Sequence, residues 1–360
     1  MRFLVLLSIV SLFFQNQPKR LIIDISQVYQ LELSSIATKV IPIPLKTSKF
    51  SFTNIEKVFL INDNIIYVLN ISEINGTLFS QVLKFDLGGN LLAQIGEKDQ
   101  KSHEFLRVYD MKFDKVTSLL HLVYSDCNRV YDVDGNLKNL YKREDKSPGF
   151  RTVHEIVHKG KIWRSEIYYR DGLAFYDIVQ SDLNGQNLNK LKTFKFKISR
   201  SDLKSGTERY DRVHFSIHEN EMYLSCGVDN TIYKIINNKL IPEYIVEFRN
   251  QAQPTDYFYS ASKQVIIGRY IINEYTYNWM QYDFIYDCET SKTYNMKFHP
   301  KIGIISSGII DDLFYTGSFD LNQTNLEDYI YFTKKTEEIR GINIYDPKQA
   351  KTIIFLVKLK

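Results

Sequence analysis

The sequence predicts an all-β fold, a single six-bladed β-propeller built from four-stranded antiparallel blades. Two observations carry that prediction: a structural unit that recurs about every 50 residues, the signature of propellers, and short apolar segments separated by turn signals, with no long helical periodicity. Composition agrees. The chain holds 25 Tyr and 23 Phe against 8 Pro and 16 Gly, and aromatic side chains pack well on a pleated surface.

The repeat is clearest at its ends, where an aromatic or apolar residue precedes Asp and a turn. The copies are Phe85-Asp86-Leu87-Gly88-Gly89-Asn90, Tyr131-Asp132-Val133-Asp134-Gly135-Asn136, Ser181-Asp182-Leu183-Asn184-Gly185, Ile235-Ile236-Asn237-Asn238, Tyr286-Asp287-Cys288-Glu289-Thr290 and Tyr345-Asp346-Pro347-Lys348. Asp and Asn tolerate tight turns and Gly supplies positive φ, so each ending reverses the chain between the third and fourth strands of a blade. Upstream of each lies a strand, a short polar turn and a second strand, as in Val58 to Tyr67, Val153 to Trp163 and Val213 to Tyr223. Four strands in each of six units close a ring. The segment Ala37 to Leu45 precedes the first complete unit and is expected to supply the outer strand of the last blade, beside Thr352 to Leu359.

The ends and the charge set the cellular context. Met1-Arg2 is followed by an apolar run from Phe3 to Phe14, which reads as a secretory signal and is too short for a transmembrane helix. Residues 1–17 are therefore expected to be a signal-peptide-like segment and residues 18–360 the propeller. No Cys follows the run to take a lipid anchor, and no other stretch is apolar enough to span a membrane. The formal charge of +4 is dispersed, which argues against nucleic acid. Lys190 to Lys197 alternates with apolar residues and reads as an edge strand guarded by lysines. Cys127, Cys226 and Cys288 have no metal-ligand spacing and read as buried free thiols.

The runs Leu83-Lys-Phe-Asp-Leu-Gly-Gly-Asn-Leu-Leu-Ala-Gln-Ile-Gly96, Tyr131-Asp-Val-Asp-Gly-Asn-Leu137, Phe284-Ile-Tyr-Asp287 with Lys292-Thr-Tyr-Asn295, and the terminal Lys358-Leu-Lys360 resemble the six-bladed β-propeller family of Bacteroidetes envelope proteins, relatives of the NHL-repeat propellers. The resemblance covers the chain after residue 35 and implies an architecture and an exported location, not a reaction. Where that family carries a Gly-rich loop ending Gly-Pro-Gly-Glu-Tyr, this chain has Gly96 to Phe105, which keeps Glu104 and an aromatic but not the inner glycines.

His154-Glu155-Ile156-Val157-His158 matches the zinc-protease pattern H-E-x-x-H. That chemistry requires a helix, on which residues four apart share a face. Here Pro148-Gly149 precedes the segment, Lys159-Gly160 ends it, and the next unit repeats the spacing as His214 and His218. A strand is therefore expected, with the two imidazoles roughly 13 Å apart.

In a propeller the first strand of each blade lines the central channel. His154 and His214 are expected to face one cavity there, with Asp110 at the equivalent place in the second blade and Arg107, Arg151 and Arg212 just before or at the starts of three consecutive inner strands. Such a mouth would be positive and suit a carboxylate or phosphate. An opposing reading gives these side chains hydrogen bonds to backbone between blades. Tyr275, Tyr277 and Trp279 form an aromatic candidate for sugar stacking or a protein interface. No nucleophile elbow, P-loop or dinucleotide fingerprint occurs, and neither a cofactor nor a metal is expected. The sequence thus points to a binding propeller whose partner is a small molecule, a glycan or an envelope protein. The alternative is a metal-dependent enzyme of the lyase or lactonase type, with the ion at His154 and His214.

Overall fold

The computed structural model describes residues 17–24, 26, 33–47, 50–61, 64–74, 77–96, 107–124, 127–142, 151–186, 188–197, 213–227, 229–249, 261–277, 280–297, 309–310, 313–314, 322–323, 328–335 and 350–360. It is a six-bladed β-propeller. β1 (Lys19–Asp24), the single turn α1 (Leu33–Ile36) and β2 (Ala37–Lys46) come first. Blade 1 holds β3 (Asn54–Ile61), β4 (Ile65–Ile74), β5 (Thr77–Asp86) and β6 (Leu91–Ile95). Blade 2 holds β7 (Asp110–Asp114), β8 (Leu119–Val123), β9 (Cys127–Tyr131) and β10 (Leu137–Lys142). In blade 3 are β11 (Arg151–His158), β12 (Lys161–Arg170), β13 (Leu173–Ser181) and β14 (Asn189–Lys197). Blade 4 comprises β15 (Val213–His218), β16 (Glu221–Cys226), β17 (Thr231–Ile236) and β18 (Lys239–Arg249). Blade 5 comprises β19 (Ala261–Ile267), β20 (Tyr270–Tyr277), β21 (Met280–Asp287) and β22 (Lys292–Lys297). After the small pair β23 (Ile309–Ile310) and β24 (Leu313–Phe314), blade 6 is built from β25 (Asn322–Gln323), β26 (Tyr329–Lys335), β27 (Ala350–Leu359) and the early β2.

Each of blades 1–5 is a meander of antiparallel neighbours, and the first strands of adjacent blades touch, so β3, β7, β11, β15 and β19 form the inner wall. The ring closes where β2 pairs with β27 as the outermost strand of blade 6. A further strand was not expected: β1 lies parallel to β18, as a fifth strand on blade 4.

The repeated endings behave as their chemistry requires. The Asp86, Asp132 and Asp182 carboxylates each accept the amide four residues on, at 2.8 Å in all three blades. Gly89, Gly135 and Gly185 carry φ of 79°, 93° and 80°, the left-handed region in which a side chain is strained. At blade 4 the turn is Asn237-Asn238, with φ of 49° and 59°, matching the two-residue hairpin favoured by strand twist. Gly89 has a second constraint. A Cβ there would lie 1.7 Å from the Pro44 carbonyl oxygen, because Lys46 of the closing strand donates its amide to the Gly89 carbonyl at 2.8 Å.

Between blades most of the described packing is apolar. Buried clusters fill the seams of blades 5 and 6, 6 and 1, 1 and 2, 3 and 4, and 4 and 5. The seam of blades 2 and 3 holds instead a cluster of charged groups described below. Cys127 and Cys226 are buried and not in a disulfide, whereas Cys288 is half-buried. Among the described residues no helix is long and apolar enough to cross a membrane. The apolar run Phe3 to Phe14, segment 97–106 at the place of the family's Gly-rich loop and the sixth ending at Tyr345 to Lys348 lie outside the described residues.

Candidate binding site at the inner strands

His154 sits on β11, an extended strand, and not on a helix. Its backbone amide donates to the Ser165 hydroxyl at 3.1 Å, and His158, at the far end of the strand, is buried and shares a hydrogen bond with the Asn220 backbone of blade 4. Burial pushes the His158 imidazole below its ordinary pKa, helped by Lys159 and opposed by Asp114. Asp114, the equivalent last residue of β7, accepts the amides of Lys159 at 3.2 Å and Gly160 at 2.8 Å in blade 3. The end of an inner strand therefore holds the first turn of the next blade. Residues spaced as H-E-x-x-H occupy positions set by blade geometry.

The glutamate of that motif is equally structural. The Glu155 carboxylate meets the Lys112 ammonium of blade 2 at 2.5 Å, with both side chains at 9% exposure or less. Lys112 also reaches Asp110 at 3.3 Å, and Asp110 meets Lys57 of blade 1 at 2.5 Å. Burial would raise the Asp110 carboxyl, but Lys112 and Lys57 outweigh it and hold the pKa below the ordinary range. Burial would likewise lower the Lys112 pKa, but Glu155 and Asp110 leave it raised. His121 packs into the same group, 3% exposed. Desolvation pushes its pKa down to about 4 against the pull of Asp114, so it is held neutral.

Strand register shows what these residues share. Lys57 lies opposite Leu69, Asp110 opposite Val123, His154 opposite Ser165 and His214 opposite Ser225. Counted from each first hairpin, these are the same position on the inner strands of blades 1 to 4. Adjacent members meet: Lys57 with Asp110 as an ion pair, and His154 with His214 at 4.1 Å between ring centroids, tilted by 45°. Lys57 escaped sequence reading because the first unit carries no histidine or acid there. Aligning the hairpins rather than the residue types would have found it.

His154 is oriented by the neighbouring blade. Its Nδ1 accepts the Phe215 amide at 3.1 Å, and its ring stacks on Phe215 at 5.9 Å. A nitrogen that accepts an N–H carries no proton, so the neutral ring bears its hydrogen on Nε2 and presents a donor. A metal-bound imidazole has the opposite polarity, because it donates its second N–H to a neighbour. His154 in this setting therefore suits an oxygen acceptor better than an ion. Among the described residues no three His, Cys, Asp or Glu side chains converge as a metal site.

The arginines do not gather into one described group. Arg107 is exposed and lies over the Tyr109 ring at 4.9 Å. Arg151 begins β11, but its side chain, like all of Arg212, lies outside the described residues. Tyr275 and Tyr277 fall on β20 with side chains outside the described set, as does Trp279 entirely.

No protein-family model matches the sequence, and no curated protein matches it. Among solved structures, a candidate exported protein from Bacteroides fragilis is similar over 95% of this chain and 100% of its own, with TM-score 0.60 and 15% identity. At that identity the likeness concerns the fold. A protein of unknown function from Bacteroides caccae follows at TM-score 0.37 and 9% identity, covering 75% of this chain and 82% of its own. An oligogalacturonate lyase in complex with manganese has TM-score 0.38 and 9% identity, over 89% of this chain and 91% of its own. Neither of the last two superposes closely enough to carry function across.

Proposed function

We propose that this chain is an exported, non-catalytic binding propeller of the cell envelope, holding a small molecule, a glycan or an envelope protein where the inner strands begin. The observation that carries the reading is the shared register of Lys57, Asp110, His154 and His214, which places an ion pair and a pair of imidazoles side by side on four adjacent inner strands. Half-buried polar groups of this kind, fixed by backbone contacts from the next blade, are the elements that orient a ligand in a concave site. The His154 Nε2 hydrogen suits a carbonyl, hydroxyl or carboxylate oxygen. Export rests on Arg2 and the apolar run Phe3 to Phe14, and residues 18–360 act as one unit in this reading.

The test uses the purified protein as bait in a native envelope extract, beside a His154→Ala/His214→Ala variant with the same circular dichroism. A ligand or partner retained by the first and lost by the second supports the reading. Equal recovery by both removes the histidines from the site. Zinc, calcium or iron bound stoichiometrically by the wild type and lost in the variant would favour the metal-dependent enzyme instead. A mature protein found in the cytoplasm with Met1 intact would end the export assignment.

A further inference from the structure

Six four-stranded blades close the ring with β2 as the clasp, so β1 is surplus to the architecture. It is nonetheless closely fitted. Six consecutive residues pair with β18, from Lys19 opposite Tyr244 to Asp24 opposite Arg249. Leu21 and Ile23 are fully buried in a slot formed by Val246 of blade 4 and Ile266, Ile271 and Phe284 of blade 5. The Thr293 hydroxyl of blade 5 donates to the Ile22 carbonyl at 3.0 Å, and Arg20 pairs with Glu247 at 2.5 Å. The slot thus recognises an extended segment with apolar residues two apart and a cation ahead of the first.

We propose that this rim is a strand-receiving site, and that residues 19–24 of one copy seat in the groove of a second copy, so that two chains are linked by reciprocal exchange. Lys19–Asp24 is the one sequence whose complementarity to the groove is displayed, and every copy carries it. Exchange reproduces the same pairs, the same buried leucine and isoleucine and the same ion pair in trans, so contact energy does not oppose it. Connectivity favours it too. The next paired strand after β1 is β2, which belongs to blade 6 and not to blade 4. No hairpin ties β1 to β18, its partner more than 200 positions away by the Arg20–Glu247 separation of 227. The balance between the two arrangements is then set by the effective concentration of the tethered strand against the concentration of copies.

The experiment traps the strand where it sits. Full-length Ile22→Cys/Glu247→Cys protein, with the two cysteines at directly paired positions, is refolded from urea over about a hundredfold range of concentration, oxidised, and resolved without reductant. The share of disulfide-linked dimer is expected to rise about tenfold across that range, with no dimer in either control that carries one of the two changes. Crosslinks confined to single chains at every concentration overturn the proposal. If the double variant fails to fold, wild-type protein refolded with a labelled peptide of residues 17–26 replaces it. Retention of that peptide, and loss of retention when Leu21 and Ile23 are changed to Asp in it, supports exchange. Failure to retain the native peptide, or equal retention of both, refutes it.

Discussion

Replacing Glu155 by Leu removes the anionic half of the Lys112–Glu155 pair and leaves the Lys112 ammonium, 8% exposed, facing an apolar side chain in the seam of blades 2 and 3. Breaking a buried ion pair from one side costs ~3–5 kcal/mol because the surviving charge is uncompensated. Lys112 keeps Asp110 at 3.3 Å, which places the expected loss at the lower end, about 3 kcal/mol. The double variant Lys112→Met/Glu155→Leu has no stranded charge and matches the apolar packing of the other seams. It is expected within about 1 kcal/mol of wild type, or above it. Equilibrium urea unfolding followed by tryptophan fluorescence is the assay, since Trp163 is buried in blade 3, on the strand that pairs with β11. A single variant losing less than about 1 kcal/mol, or a double variant as unstable as Glu155→Leu, would refute the reasoning and move the weight of that seam elsewhere.

Acid should act on the same seam through His121. Its folded pKa lies near 4, below the ordinary 6.5, so the unfolded chain binds the proton first and stability falls as pH drops from about 6.5 to about 4, by up to about 3 kcal/mol. Urea midpoints at several pH values check this, and His121→Phe should flatten the slope. His154→Ala leaves the buried Phe215 amide without its acceptor and should cost ~1–3 kcal/mol in the same assay; an unchanged midpoint would mean that solvent reaches that amide. Gly89→Ala meets the Pro44 carbonyl oxygen at 1.7 Å and adopts a strained φ, so a destabilisation of at least ~2 kcal/mol is expected, visible as a lower melting temperature. Normal melting would show that the closing strand yields at that point.

The parts legible in the sequence are those encoded locally. Asp86, Asp132 and Asp182 with their glycines announce the last hairpin of each unit, and the β2 clasp follows from counting strands. His154 could be placed on a strand because His214 repeats its spacing. What depends on neighbours across a seam was not legible. That Glu155 answers Lys112 requires knowing which face of β7 meets β11. Arg107 lies over Tyr109, a choice made by loop geometry rather than composition. β1 was missed because six residues beside a signal-like run reveal no partner, and its own lies at the far side of the sequence.

Blade 6 has a consequence for the order of folding. Its third strand, β27, sits between β26 and β2 rather than at an edge, and its contact with β2 spans 320 positions of sequence from Thr38 to Lys358. Until residues 350–359 are available, β2 has no partner in its blade and one edge of β26 stays open, and the apolar faces that Phe355 and Leu356 will cover stay open to water. Closure of the ring therefore waits on the insertion of a central strand that joins segments far apart in the sequence. Such long-range pairing makes folding slow and leaves an open arc of blades exposed to aggregation while it waits. Loss of this central strand would therefore unfasten the whole circle, where loss of a strand at the rim of blade 2 would strip only an outer edge.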